Sequence, residues 1–159
     1  MKQDSLAKWL KGIIIGIGIC GLLICLVILP MLAKDILYVG SGMEHYYRPW
    51  MIFLWISAIP CYVVLFYGWK VASNIGRDNS FCEDNAVYLK KISYMAVLDS
   101  IYFFVGNVVL YIMNVSHPSV FMGSLFVIFA GISVAVATAA LSHLVMKAAA
   151  LQEQSDLTI

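Results

Sequence analysis

Four long apolar stretches, residues 12–32, 50–69, 92–114 and 121–146, leave this chain few ways to fold. Each approaches or exceeds the roughly 20 residues a helix needs to cross a hydrocarbon layer about 30 Å thick. In such a layer no water can satisfy an exposed backbone N–H or C=O, so runs of this length resolve as helices. The expected fold is an all-α integral membrane protein, an antiparallel four-transmembrane-helix bundle forming one domain over residues 1–159. With 62% hydrophobic and 12% charged residues, almost nothing remains for a soluble domain. The first run is expected to be a span rather than a cleaved signal, because Pro30-Met31-Leu32-Ala33-Lys34 offers no small-residue cleavage pair.

The basic residues set the expected orientation. Lys2, Lys8 and Lys11 precede the first span, Lys70, Arg77, Lys90 and Lys91 lie between the second and third, and Lys147 follows the fourth, leaving Lys34 and Arg48 for the other side. The excess predicts both termini inside, in a bacterial cytoplasmic membrane. The net charge is +1, and Asp78, Glu83 and Asp84 offset the basic residues of the loop 71–91, so direct nucleic-acid binding is not expected.

Catalytic chemistry finds little material. Cys20, Cys25 and Cys61 lie in apolar runs and Cys82 in the loop, with no C-x-x-C pair, so they read as small packing residues. His45 with Glu44 is too small a set for a metal. His143 has no facing histidine for a haem, because His45 and His117 belong to the outer side. No enzyme activity, metal or cofactor is expected.

Local patterns add detail. Gly12 and Gly16 form a G-x-x-x-G step suited to close packing within the chain. Pro60 should kink the second span and free a carbonyl that Ser57 or a water would satisfy. In the loop, residues 74–79 read as a turn and Ser80-x-x-Glu83 as a capping box starting a helix at Phe81. Phe81, Asn85, Leu89 and Ile92 then share one face of a short amphipathic helix on the inner surface. The third span carries a polar seam, Asp99, Phe103, Asn107, Tyr111 and Asn114, expected to face the bundle interior. A contact between Asp99 and His143 of the fourth span would be an interhelical clasp worth about 1 kcal/mol. A proton relay is the weaker reading, because no second carboxylate is buried there. In the fourth span Gly131, Ala135 and Ala139 make a smooth strip beside Thr138 and Ser142. A helix from Phe121 to Gln154 would measure roughly 51 Å, so its end and the tail 147–159 should project into the cytoplasm.

The loop pattern Phe81, Asn85, Leu89, Ile92 and the alanine- and leucine-rich exit ending in Asp156-Leu157-Thr158-Ile159 resemble the YoaS-like family, small bacterial four-helix membrane proteins carrying a domain of unknown function. The resemblance covers most of the chain, and the Asp-Leu-Thr-Ile ending is its specific part. The family tends to read Glu-Glu-Asn before that ending, where this chain has Glu153-Gln154-Ser155. The resemblance implies company rather than chemistry, namely an adjacent helix-turn-helix regulator of the Cro/C1 type. On that basis the chain is expected to be a regulatory membrane protein that binds or controls such a regulator. The partner-binding residues would be Phe81, Asn85, Leu89, Asp156, Leu157, Thr158 and Ile159, with the loop helix and tail forming one surface. Asp99, Asn107 and His143 would be the intramembrane polar group. The alternative is an oligomeric small-solute or ion transporter or channel subunit. The bilayer itself and a second copy of the chain complete the expected partners.

Overall fold

A computed structural model describes residues 3–38, 47–114, 116 and 118–156, and its regular structure is all helix. The elements are α1 (Gln3–Leu23), a π-helical stretch (Ile24–Ile28), α2 (Leu29–Tyr38), α3 (Tyr47–Gly76), α4 (Glu83–Ile112) and α5 (Pro118–Asp156). Four segments are long and apolar enough to cross a membrane: Asp4–Lys34, Tyr47–Gly76, Glu83–Ile112 and Pro118–Ser155.

The first of these does not end at Pro30. The helix passes through the proline by loosening to a π turn, in which the Leu29 N–H reaches the Ile24 carbonyl five residues back. Pro30 has no N–H, so in that register the Cys25 carbonyl has no helical donor. The indole Nε1–H of Trp55, on α3, donates to it at 3.3 Å. Pro60 is handled differently: α3 runs through it unbroken. The Ser57 hydroxyl, expected to serve a carbonyl freed by Pro60, instead donates to Asp99 on α4 at 2.9 Å.

Between α3 and α4 the expected turn forms over 74–79. The Arg77 N–H bonds the Asn74 carbonyl at 3.1 Å and the Asp78 N–H bonds Ile75 at 3.2 Å. Asp78 closes the turn at φ 62°, a conformation that Asp tolerates better than most residues. The helix does not start at Phe81, where the Ser80 capping box would have begun it. Cys82 is the N-cap, in an extended conformation, and its carbonyl accepts from the Asn85 and Ala86 N–H groups at 3.1 and 3.3 Å. Glu83 and Asp84 therefore sit in the first turn, where acidic side chains oppose the helix dipole. No separate amphipathic helix exists, because nothing between Glu83 and Ile112 breaks the helix.

Contacts place the helices in a row. The Tyr62 hydroxyl donates to the Gly18 carbonyl at 2.9 Å, and Gly76 lies against Ala7, so α1 runs antiparallel to α3. The pairs Ser57–Asp99 and Asn74–Asn85 make α3 antiparallel to α4. Ser93 Oγ donates to the Ala135 carbonyl at 2.8 Å and Ser142 Oγ to the Ala86 carbonyl at 2.7 Å, so α5 is antiparallel to α4. The order is α1, α3, α4, α5. Among the described residues α1 and α5 do not touch each other, so the antiparallel helices form an open row.

The tightest seam joins α4 and α5. Ser124, Gly131, Ala135, Thr138, Ser142 and Val145 recur at spacings of three, four and seven along its inner face, and Ala135 is 2% exposed. Gly131 meets the Ser100 hydroxyl so closely that an added Cβ would collide with it. Ala139, expected on this strip, is exposed. Lipid is as apolar as any side chain, so close approach and interhelical hydrogen bonds, rather than apolar burial, hold such a seam. The G-x-x-x-G step expected to pack within the chain does not. An added Cβ at Gly12 or Gly16 meets nothing within 4 Å, and the packed glycines of α1 are Gly18 and Gly21.

Gly106 and Gly16 give a paired test of this packing. A Cβ at Gly106 would enter the Phe53 ring, itself stacked against Tyr102 and Phe103 at 5.2 and 5.5 Å. Gly106→Ala is expected to lower stability by about 1–3 kcal/mol, and Gly16→Ala to leave it unchanged or slightly raised. Thermal melting in one detergent reads both, and equal melting temperatures would refute the assignment of the packed face.

Candidate functional site

The end of the row that carries both termini also carries the α3–α4 turn, and Asn85 organises it. Its side chain is 1% exposed. The Asn85 Oδ1 accepts from Asn74 Nδ2 at 2.8 Å, and its Nδ2 donates to the Ser80 and Asn79 carbonyls at 3.0 and 3.3 Å. One carboxamide thus ties the last turn of α3 to the turn and to the first turn of α4. Ala86, Leu89 and Ile92 are buried beside it, and Ala86 and Leu89 pack against Val145 of α5 and Val71 of α3. Asn85 and Leu89, read from the sequence as an exposed docking face, therefore lie inside the protein.

Phe81 does not share their face. It precedes α4, is 57% exposed, and lines a groove whose other wall is the extension of α5. Helix α5 continues past its contact with the start of α4, so Met146, Ala149, Gln152 and Glu153 stand opposite Phe81 and Glu83 across a space of about 400 Å3. The turn and the α5 exit, more than 60 residues apart in the chain, thus meet in one surface. Asp156 is the last residue of α5, while Leu157, Thr158 and Ile159 lie outside the described residues. Met146 and Ala149 were not legible as site residues, since their role depends on how far α5 overshoots α4.

The intramembrane polar group separates in the structure. Asp99 is half-buried and faces α3, accepting from Ser57 Oγ at 2.9 Å and from Cys61 Sγ at 3.7 Å. His143 is exposed and far from it. Ser142 pairs with Ala86, 13 residues before Asp99 on α4, which is roughly 20 Å at helical rise. The expected Asp99–His143 clasp fails because it assumed that α4 begins at residue 92, nine residues after its actual start at Glu83. Asn107 is buried but turns back to its own helix, donating to the Phe103 carbonyl at 2.7 Å. Beside Asp99 a cavity of about 450 Å3 opens between the helices, bordered by Gly21 and Cys25 of the first rod, Pro60 and Leu65 of α3, and Val134 of α5. The spacing of Ser57 and Cys61 at i and i+4 on one face of α3 is the signal that would have identified the carboxylate's partners.

Comparison with known proteins points to a membrane protein. Residues 31–159 match the family described as "Protein of unknown function (DUF2975)". The chain is similar to the "Uncharacterized membrane protein YoaS" of Bacillus subtilis (strain 168), 30% identical over 153 residues that cover 95% of this chain and 96% of that protein. No solved structure matches.

Removing the Asn85 carboxamide leaves the Asn74 amide and two turn carbonyls without it. Asn85→Ala is expected to destabilise the protein by about 1–3 kcal/mol and to expose the turn to a protease that the native turn resists. Melting temperature and the cleavage rate near residues 77–82 are the readouts. An unaltered cleavage rate would show that the turn holds without Asn85.

Proposed function

The chain belongs to the DUF2975 family of proteins of unknown function, and we propose that it is a non-enzymatic membrane protein that holds a cytoplasmic regulator at its termini-bearing end. On this reading both termini face the cytoplasm of a bacterial inner membrane, in keeping with the basic residues gathered at that end. The partner is a small helix-turn-helix protein of the Cro/C1 type. The observation that carries the reading is the groove between the 79–83 turn and the overshooting end of α5.

The groove has the chemistry for a helix of a DNA-binding protein. Phe81 and Met146 supply apolar anchors, and Glu83 and Glu153 supply negative charge on both walls. An amphipathic helix lays spaced apolar residues into such a groove. A surface built to meet phosphates is basic and would be attracted to the acidic rim. Membrane capture would then compete with DNA binding. Asn85 acts from beneath by fixing the turn, with Leu89 buried against Val145 of α5, and the expected partner residues Asp156, Leu157, Thr158 and Ile159 follow the α5 wall in sequence.

A second reading, transport of a small solute or ion by an oligomer, draws on the cavity beside Asp99. Flux across reconstituted liposomes that is lost in Asp99→Asn would favour it over the first.

The groove is tested by co-expressing the adjacent regulator and separating membranes from cytosol. Phe81→Ala, Met146→Ala and deletion of 156–159 are each expected to release the regulator several-fold, and combinations to be no worse than the strongest single change, since they act on one surface. Full membrane retention in all three would rule the groove out.

A further inference from the structure

Below the turn, α3 and α4 bring two lysines onto one aromatic ring. Lys70 Nζ lies 5.9 Å from the centre of the Tyr67 ring, and Lys91 Nζ lies 5.3 Å from the same ring. Lys70 also stands 4.8 Å from Phe66 and 5.2 Å from Tyr88. Tyr67 and Tyr88 stack across the helix interface with ring centres 5.8 Å apart. Each cation–π contact is worth about 0.5–1 kcal/mol at an exposed site, enough to hold a long lysine side chain in place. It does nothing to neutralise the charge. Both ammonium groups thus lie within 6 Å of the centre of one ring, and among the described residues their contacts are to aromatic rings, not to a carboxylate. Two cations held around one ring without a carboxylate contact suit an anion at the same level.

The level of the pair identifies the anion. Lys11 lies over Trp69 at 5.2 Å and Lys90 over Tyr94 at 6.0 Å, so four lysines and their rings form a belt at one height. On one side of the belt the apolar spans begin, and on the other lies the turn. Such aromatic belts mark the headgroup region, and basic pockets between helices at that depth take lipid headgroups. We propose that Lys70 and Lys91, held over Tyr67, form a binding site for the headgroup phosphate of an anionic phospholipid. The two ammonium groups reach the phosphate from α3 and α4. The site stands apart from the regulator-binding groove and does not depend on it.

The test is native mass spectrometry of the detergent-solubilised full chain titrated with phosphatidylglycerol, with phosphatidylcholine as reference. Lys91→Gln, at an exposed position, should weaken phosphatidylglycerol retention about fivefold, and Lys70→Gln/Lys91→Gln about 25-fold. Phosphatidylcholine retention should not change. Lys8→Gln/Lys147→Gln removes the same net charge elsewhere and should have no effect. An equal loss in that control would mean diffuse attraction, and unchanged retention in Lys91→Gln would mean no site, and either overturns the proposal. Displacement of the lipid by millimolar inorganic phosphate would assign the site to a free phosphate and overturn it as well.

Discussion

The close approach of α4 and α5 is the contact on which the rest depends. In lipid, apolar side chains gain little by touching one another, so two helices associate where small residues let their backbones meet and where hydroxyls bond across the gap. Here both conditions hold along one line. Ser142 reaches the Ala86 carbonyl, Ser93 reaches Ala135, and Gly131 admits Ser100. With α4 fixed on one side by this seam, its other side receives α3 through Asp99, Tyr102 and Phe103, and α3 in turn carries α1 through the Tyr62 and Trp55 donors. The row is thus built outward from one seam, and α1 is its least embedded member: the most apolar window of that span contains no buried residue.

The seam also decides where α5 runs on beyond the start of α4. Because Ser142 is level with Ala86, the residues of α5 after Val145 have no α4 beside them, and they stand free as one wall of the groove. The opposite wall is positioned by Asn85. A buried carboxamide is costly unless its donors and acceptors are met. Asn85 meets them by tying Asn74 to the turn, which converts a burial cost into a defined turn geometry. Packing along the helices and the shape of the surface at their end are therefore linked through two residues, Ser142 and Asn85.

Polar residues at membrane depth serve different purposes along the chain. Trp55 and Tyr62 lend donors to carbonyls of the first rod, one of them left without a helical partner by Pro30. Ser100, Ser133, Thr138 and Asn107 bond back to their own helices. Asp99 differs, because it is a carboxylate held by α3 donors at the edge of a cavity that all four spans border. The lysine belt at the termini-bearing end is a further arrangement, with cations held by aromatic rings instead of carboxylates.

By itself the sequence determined that this chain is four apolar helices with a turn at 74–79 and a long helical exit after residue 146. Hydropathy over some 20 residues and the demand for backbone hydrogen bonds in lipid leave no other outcome. It also marked Asn85, Leu89, Asp99 and Asn107 as unusual. What each of them does was decided only by tertiary structure. Periodicity places Phe81, Asn85 and Leu89 on one helical face, but cannot tell an outward face from an inward one when a neighbouring helix covers it, and Phe81 precedes the helix altogether. Depth counted from hydropathy paired Asp99 with His143, whereas the register of α4 against α5 sets them about 20 Å apart. The helix passing through Pro30, the open order of the row, the meeting of Phe81 with Met146 and the convergence of Lys70 and Lys91 on Tyr67 all depend on which helices touch and at what stagger. Side-chain contacts between segments distant in sequence set that stagger, and no local pattern encodes it.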